Sequence, residues 1–289
     1  MKPAPFAYHD PRSVDEVVDR LAEHGDDAKV LAGGQSLMPM LALRLARPAV
    51  IVDLNRVGGL DDVRASDGGV LHLGALVRQR AIERWATTPA PLLSAALRMV
   101  GHVAIRTRGT VAGSVTHADP AAELPALFAA LDGVVVARSR QGERTIPASE
   151  LYVGPLTTSL RSDEVVVETR WPLPPAHAGW GFHEVARRHG DFALVGVFAV
   201  VTVSSGRIDA ARIALFGVGP TPVRARDAEQ SLAGAAVGAE AIGDAARLAA
   251  DALDPDSDLH ASAWYRKRVA RTLTERALTD ALSRARSSR

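Results

Sequence analysis

Residues 29 to 54 read KVLAGGQSLMPMLALRLARPAVIVDL, and this stretch restricts the fold more than any other. A short apolar run ending at Ala32 is followed by two adjacent glycines. A helix-like run from Ser36, interrupted early by Pro39, comes next, and then a second apolar run from Ala49 to Leu54. Strand, helix and strand in that order make a βαβ unit. Gly33 and Gly34, between the first strand and the helix, admit two readings. One is a tight turn, in which a residue without Cβ takes positive φ at no steric cost. The other is a cradle, in which successive backbone N–H groups and a helix N-terminus converge on an anion. Residues 29 to 54 leave both open.

A second loop of the same character lies further along: Gly109-Thr110-Val111-Ala112-Gly113-Ser114. Helical patterns follow it, with Asp119 and Pro120 reading as an N-cap and N1 pair and Pro125 opening a second short helix. Two such loops can grip a pyrophosphate from two sides, and their threonine and serine hydroxyls add donors where backbone N–H groups run out. No G-x-G-x-x-G, G-x-x-x-x-G-K-[ST], G-x-S-x-G or H-E-x-x-H is present, and HEVAR from His183 fails at its fifth position. The residues themselves therefore point to a dinucleotide site of non-Rossmann type.

Elsewhere the pattern is regular. Ser13 and Glu16 form a capping box ahead of Val14, Val17, Val18 and Leu21, with Gly25 stopping that helix. VLHLGALV from Val70 reads as strand, Arg78 to Trp85 and Pro91 to Val100 as helices, and VVVA from Val134 as strand. WPLPPAHAGWG, from Trp171, reads as a boundary between a domain of residues 1–175 and one of residues 176–289. Beyond it, long β-like runs precede helical ones, which predicts helices on one face of an antiparallel sheet.

Composition narrows the function. With 34 basic against 33 acidic residues the net charge is +1, so no global field draws the chain to nucleic acid. The cluster Arg266-Lys267-Arg268 with Arg271 reads as the solvated face of a C-terminal helix. There is no cysteine, which excludes disulfides, thiolate nucleophiles and iron–sulfur ligation within the chain. No metal-ligand cluster and no catalytic constellation emerge. Apolar runs are too short to span a membrane and no signal sequence opens the chain, so a cytoplasmic protein is expected.

AGGQSLMPMLALRLA and IRTRGTVAGSVTHADPAAELPA, taken together, resemble the FAD-binding medium subunit of the molybdenum hydroxylases, the family of xanthine dehydrogenase and aerobic carbon monoxide dehydrogenase. RRHGDFALVGV and WYRKRVARTLTERAL are similar to that family's C-terminal domain. The resemblance implies an α+β chain: a PCMH-like FAD-binding domain of two subdomains, then a smaller α+β domain with an antiparallel sheet and C-terminal helices. It implies that the first loop (Val30, Leu31, Ala32, Gly33, Gly34, Gln35, Ser36 and Leu37) wraps the FAD pyrophosphate. The second loop (Thr110, Val111, Ala112, Gly113 and Ser114) would hold it from the other side, with Glu123 in reach of the cofactor and Val166 approaching through backbone.

The same resemblance implies an electron-transfer subunit. Electrons would come from a molybdenum-cofactor large subunit through an iron–sulfur small subunit, in a dimer of heterotrimers, and leave to NAD, a quinone or oxygen. Three positions depart from the pattern or leave it open. Ala112 stands where relatives carry glycine, which would strain the loop and weaken FAD binding if that position needs positive φ. His183 replaces a lysine of some relatives, as a flavin contact or an ordinary strand histidine. Phe192 either covers the flavin ring or packs in a core. Ala112 alone supports a rival reading, a non-catalytic nucleotide-binding adaptor that has lost flavin turnover.

Overall fold

The computed structural model describes residues 2–85 and 87–287. Its first layer is a parallel sheet in the order β1-β3-β2, from β1 (Ala7–His9), β2 (Ala28–Leu31) and β3 (Val50–Asp53). Helix α1 (Val14–His24) precedes β2, and α2 (Leu37–Ala42) links β2 to β3 as the βαβ reading requires. Val17, Val18 and Leu21 are the buried stripe of α1. Ser13 caps it by accepting from the Glu16 N–H, but the Glu16 carboxylate reaches back to Arg12 rather than to Ser13.

The second layer is an antiparallel sheet in the order β4-β5-β10-β6-β7. Its strands are β4 (Val63–Ser66), β5 (Val70–Gly74), β6 (Val134–Ser139), β7 (Gly142–Pro147) and β10 (Val165–Pro172); β8 (Tyr152–Gly154) and β9 (Thr157–Thr158) form a small ribbon beside it. Helices α3 (Gln79–Glu83), α4 (Pro91–Met99), α5 (Val103–Arg108), α6 (Val111–His117) and α7 (Glu123–Ala130) connect β5 to β6, and the single turn α8 (Ala148–Leu151) follows β7. Every residue of α7 is buried, as its unbroken apolar composition demands. Phe128 of α7 meets Trp171 of β10 edge to face, 4.7 Å between centroids.

A third layer holds β11 (Gly179–Ala186), β12 (Ala193–Ser204), β13 (Arg207–Phe216) and β14 (Val223–Arg224), antiparallel in that order, with α9 (Arg226–Leu232), α10 (Ala239–Asp251) and α11 (Ala263–Ser287) on one face. Strand periodicity divides β12 cleanly: Val195, Val197, Ala199 and Val201 join the core under the helices, while Phe198 and Val200 join the core shared with α7. Both faces of this sheet are thus covered, which explains the near-continuous apolar run of β12.

Two sequence expectations need correction here. Residues 103–108, to which no sequence pattern is assigned, form α5. Asp119 does not cap a helix: its Oδ1 accepts the Ala121 N–H at 2.9 Å in a turn over residues 119–122, and α7 starts at Glu123 with Pro125 in its first turn, where no N–H is needed. Arg266 is not solvated. It is buried, donates to the Leu194 and Gly217 carbonyls, and pairs with Asp258 at 2.7 Å, fastening α11 to the ends of β12 and β13.

The tightest packing in the third layer is backbone on backbone. A Cβ on Gly179 or Gly181 of β11 would overlap the carbonyl of Ala281 or Ala277 on α11. Small residues on both sides let strand and helix approach this closely, and neither backbone can yield without losing its own hydrogen bonds. Gly181→Ala should therefore cost about 3 kcal/mol in chemical denaturation; a loss within error of zero would show that α11 can slide.

Candidate functional site

After β2 the chain turns through Gly33 and Gly34 into α2. Gly34 has φ +72°, the conformation a turn here requires and the one an L side chain resists. Gly33 is bare for a different reason. A Cβ there would lie 2.5 Å from the Arg108 carbonyl oxygen, 2.7 Å from Gly109 Cα and 3.0 Å from the Thr110 nitrogen. The first loop rests directly on the backbone of the second. Gly34 thus makes the turn, as the first reading has it, while Gly33 is bare because it admits the neighbouring main chain, which neither reading named.

Four successive N–H groups in the first loop, those of Gly33, Gly34, Gln35 and Ser36, find no acceptor among the described residues. The Ser36 and Ser114 hydroxyls likewise make no hydrogen bond among them. A half-buried run of donors without protein acceptors is open to a negative group. Gln35 turns its side-chain amide back onto the Gly33 carbonyl at 2.9 Å, leaving the loop's N–H side clear.

The second loop is shorter than the sequence suggested. Helix α5 ends at Arg108, Gly109 and Thr110 bridge, and α6 begins at Val111. Thr110 is the N-cap, its hydroxyl accepting the Gly113 N–H at 3.0 Å. A Cβ on Gly113 would strike that hydroxyl, so the cap explains this glycine. Ala112 lies inside α6, helical and 2% exposed, so it needs no positive φ and brings no strain. The feared weakening of the loop falls away, and with it the one feature favouring a non-catalytic adaptor. Val111 and Ala112 are core side chains, so only their backbone faces the loops.

Residues that no motif announced hold the two loops. Gln79 donates its backbone N–H to the Gly109 carbonyl at 2.9 Å, and Val111 donates to the Val77 carbonyl at 3.0 Å. The Gln79 side chain reaches the Thr110 carbonyl, while its Oε1 is buried without a partner among the described residues. Asn55, in the turn after β3, donates to the Ala32 carbonyl at 2.9 Å, and Arg78 reaches both Asn55 and the Arg108 carbonyl. A signal for Asn55 existed in Asp53-x-Asn55 closing a strand, an Asx turn in which Asp53 accepts the Asn55 N–H. Arg78 and Gln79 carried none.

Glu123 opens α7 and is buried, 5% exposed, rather than the solvated carboxylate its bare pattern suggests. Burial pushes its pKa up to about 8, with the Glu184 carboxylate adding to the rise. Glu184, from β11, is pushed up to about 7 by burial, and its Oε2 is buried with no partner among the described residues. Burial also lowers the pKa of His117, against the pull of Asp119. Glu184 of β11 and Asp119 thus act on Glu123 at the start of α7, and Asp119 acts on His117 at the end of α6. Val166 lies in β10, buried beside a bulge, in a strand against which α6 packs. Val30 and Leu31 pair with Val52 and Asp53 in the first sheet, and Leu37 starts α2. His183 points to α11, its Nε2 3.1 Å from Asp280, as an ordinary strand histidine does. Phe192 is 60% exposed at the β11–β12 turn, so it packs in no core.

Two families match. One, described as the FAD binding domain in molybdopterin dehydrogenase, covers residues 4–174; the other, the CO dehydrogenase flavoprotein C-terminal domain, covers residues 180–281. The 6-hydroxypseudooxynicotine dehydrogenase complex subunit alpha of Paenarthrobacter nicotinovorans is 44% identical over 292 residues, spanning 100% of this chain and 98% of that one. Caffeine dehydrogenase subunit beta of Pseudomonas sp. (strain CBB1) is 41% identical over 98% of this chain and 97% of its own length. Among solved structures, a carbon monoxide dehydrogenase from Hydrogenophaga pseudoflava lacking the Mo-pyranopterin moiety superposes with a TM-score of 0.95, at 38% identity over 98% of this chain and 99% of that one.

The buried carboxylates set a pH dependence. Glu123 and Glu184 hold their protons in the folded chain up to about pH 8 and 7, while in the unfolded chain they ionise in the usual carboxylate range. Folding therefore retains protons between these limits. The stability is fully present below the carboxylate range and is lost as pH rises through 7 and 8. The melting temperature of the FAD-free chain should fall between about pH 5 and about pH 8.5, and Glu123→Gln should flatten the fall. A profile that rises over this window would contradict the burial.

Proposed function

Because the chain belongs to the FAD-binding medium subunits of the molybdenum hydroxylases, a family of FAD-carrying oxidoreductase subunits, we propose that it relays electrons from partner iron–sulfur clusters to an acceptor that is NAD, a quinone or oxygen. The observation that carries the site is the run of unmatched N–H donors from Gly33 to Ser36, backed by the Gly109–Thr110 backbone. Residues present fit the cofactor. Bare backbone donors suit a pyrophosphate, and the Ser36 and Ser114 hydroxyls add two more. The orphaned Oε2 of Glu184 and the buried Glu123 suit the hydroxyl donors of a dinucleotide.

In this reading residues 1–175 bind the cofactor and residues 176–289 close over it. Val30 to Leu37 and Thr110 to Ser114 hold the diphosphate, Glu123 reaches the cofactor from the start of α7, and Val166 approaches through its backbone. Phe192, already exposed, covers the flavin ring. Bound FAD supplies one- and two-electron redox chemistry that no side chain here provides. The chain's own part is to bind and orient it and keep water from its buried side. Without cysteine the chain holds no iron–sulfur cluster, so electrons must enter across a protein surface. We place it with an iron–sulfur small subunit and a molybdenum-cofactor large subunit, duplicated into a dimer of heterotrimers, in the cytoplasm. No helix among the described residues is long and apolar enough to cross a membrane.

The isolated chain loaded with FAD should be reduced by dithionite and reoxidised by an artificial acceptor, yet stay oxidised when offered purines, aldehydes, N-heterocycles or carbon monoxide. Flavin bleaching by an organic substrate should appear only once the iron–sulfur and molybdenum subunits are added. Bleaching of the partner-free chain by any of these would make it a self-sufficient dehydrogenase and overturn the relay.

A further inference from the structure

The two glycine loops come from different layers, so some element must fix the gap between them before any cofactor arrives. Gly33 sets how close they can come. What pulls them together is a chain of side-chain hydrogen bonds. Asn55 Nδ2 donates to the Ala32 carbonyl, immediately before Gly33, at 2.9 Å. Arg78 Nη1 donates to the Arg108 carbonyl at 2.5 Å, the same oxygen that bars a Cβ from Gly33. The other arm of the guanidinium, Nη2, donates to Asn55 Oδ1 at 2.6 Å. Asn55 is itself held by Asp53, whose second carboxylate oxygen accepts from the Tyr8 hydroxyl at 2.6 Å.

Arg78 donates to two neutral acceptors, with no carboxylate among its hydrogen-bond partners in the described residues. Burial depresses its pKa, and the nearby Arg108 guanidinium adds to that fall. Arg108 forms no side-chain ion pair among the described residues. The Asp53 and Asp61 carboxylates offset part of that repulsion, so Arg78 is held beside the first loop chiefly by its two hydrogen bonds.

The geometry points to Arg78 and Asn55 as positioning residues that hold Ala32–Gly33 against Arg108–Thr110 at the separation a diphosphate needs. This rests on the FAD reading above. A planar guanidinium bridges two acceptors at a fixed angle; an ammonium on a flexible stem keeps the charge but not the bridge. Lysine at position 78 therefore separates positioning from simple electrostatics.

The test is titration of the FAD-stripped full chain with FAD, followed by flavin fluorescence and visible circular dichroism, for the wild type, Arg78→Lys, Asn55→Ser and the double variant. Arg78→Lys should weaken FAD binding about tenfold or more with its charge intact, and alter the flavin dichroism. The double variant should bind no worse than the weaker single one, because both changes break one bridge. Asn55→Ser keeps the test open should Arg78→Lys fold poorly. If either folded variant binds FAD with wild-type affinity and dichroism, or if the two losses add in full, the clamp is overturned. A wild-type chain that takes up no FAD would instead sink the cofactor reading itself.

Discussion

Everything at the candidate site depends on one steric contact, Gly33 against the backbone of Arg108 to Thr110. A parallel βαβ unit delivers Gly33 from one side. On the other, a run of short helices folded on an antiparallel sheet delivers Thr110. Beside that contact, four N–H groups of the first loop have no acceptor among the described residues. Such a run of donors is a ready-made site for a negative group. Arg78 and Arg108 lie at the same junction, with Asp53 and Asp61 near Arg78 as well.

The third layer serves the same junction. Its sheet is covered by α11 on one face, through glycines that admit the helix backbone, and by the wholly buried α7 on the other. Phe198 and Phe216 carry the apolar core of the first two layers into it. Arg266 and Arg224 tie carbonyls that the packing would otherwise strand: Leu194 and Gly217 in one case, Ala129 in the other. One result is the approach of Glu184 to Glu123, two carboxyl groups in a place too dry for both to ionise. A hydroxyl-rich ligand is a natural partner for such a pair, since it can donate to either.

Periodicity revealed much of this fold. The capped α1, the βαβ unit and the long strands β12 and β13 all follow from spacing, because each has one face or both committed to a core. What stayed hidden was decided by contacts distant in sequence. Residues 103–108 form a helix that ends on Gly109, whose carbonyl accepts from Gln79, a pairing with no local signature. Ala112 looked like a lost glycine until Thr110 proved to be a helix cap, which places Ala112 inside α6. Arg266 sat in a basic run that reads as solvated, yet its partners are carbonyls supplied by strands far earlier in the chain. Of the site itself, both loops were legible from their small residues and their resemblance to a known family. The clamp of Asn55 and Arg78 and the partner Glu184 were not, because a lone asparagine, arginine or glutamate has no pattern.

The central claim is that loop against loop makes the cofactor site, and Gly33→Ala tests it most directly. One methyl group placed 2.5 Å from the Arg108 carbonyl oxygen must part the loops while leaving both hydrophobic cores untouched. FAD stoichiometry and affinity, measured on folded variant beside wild type, decide the matter. The account predicts a chain with native circular dichroism and FAD affinity weakened by about a hundredfold. Stoichiometric FAD held with native affinity would show that the contact is incidental and that the dinucleotide sits elsewhere.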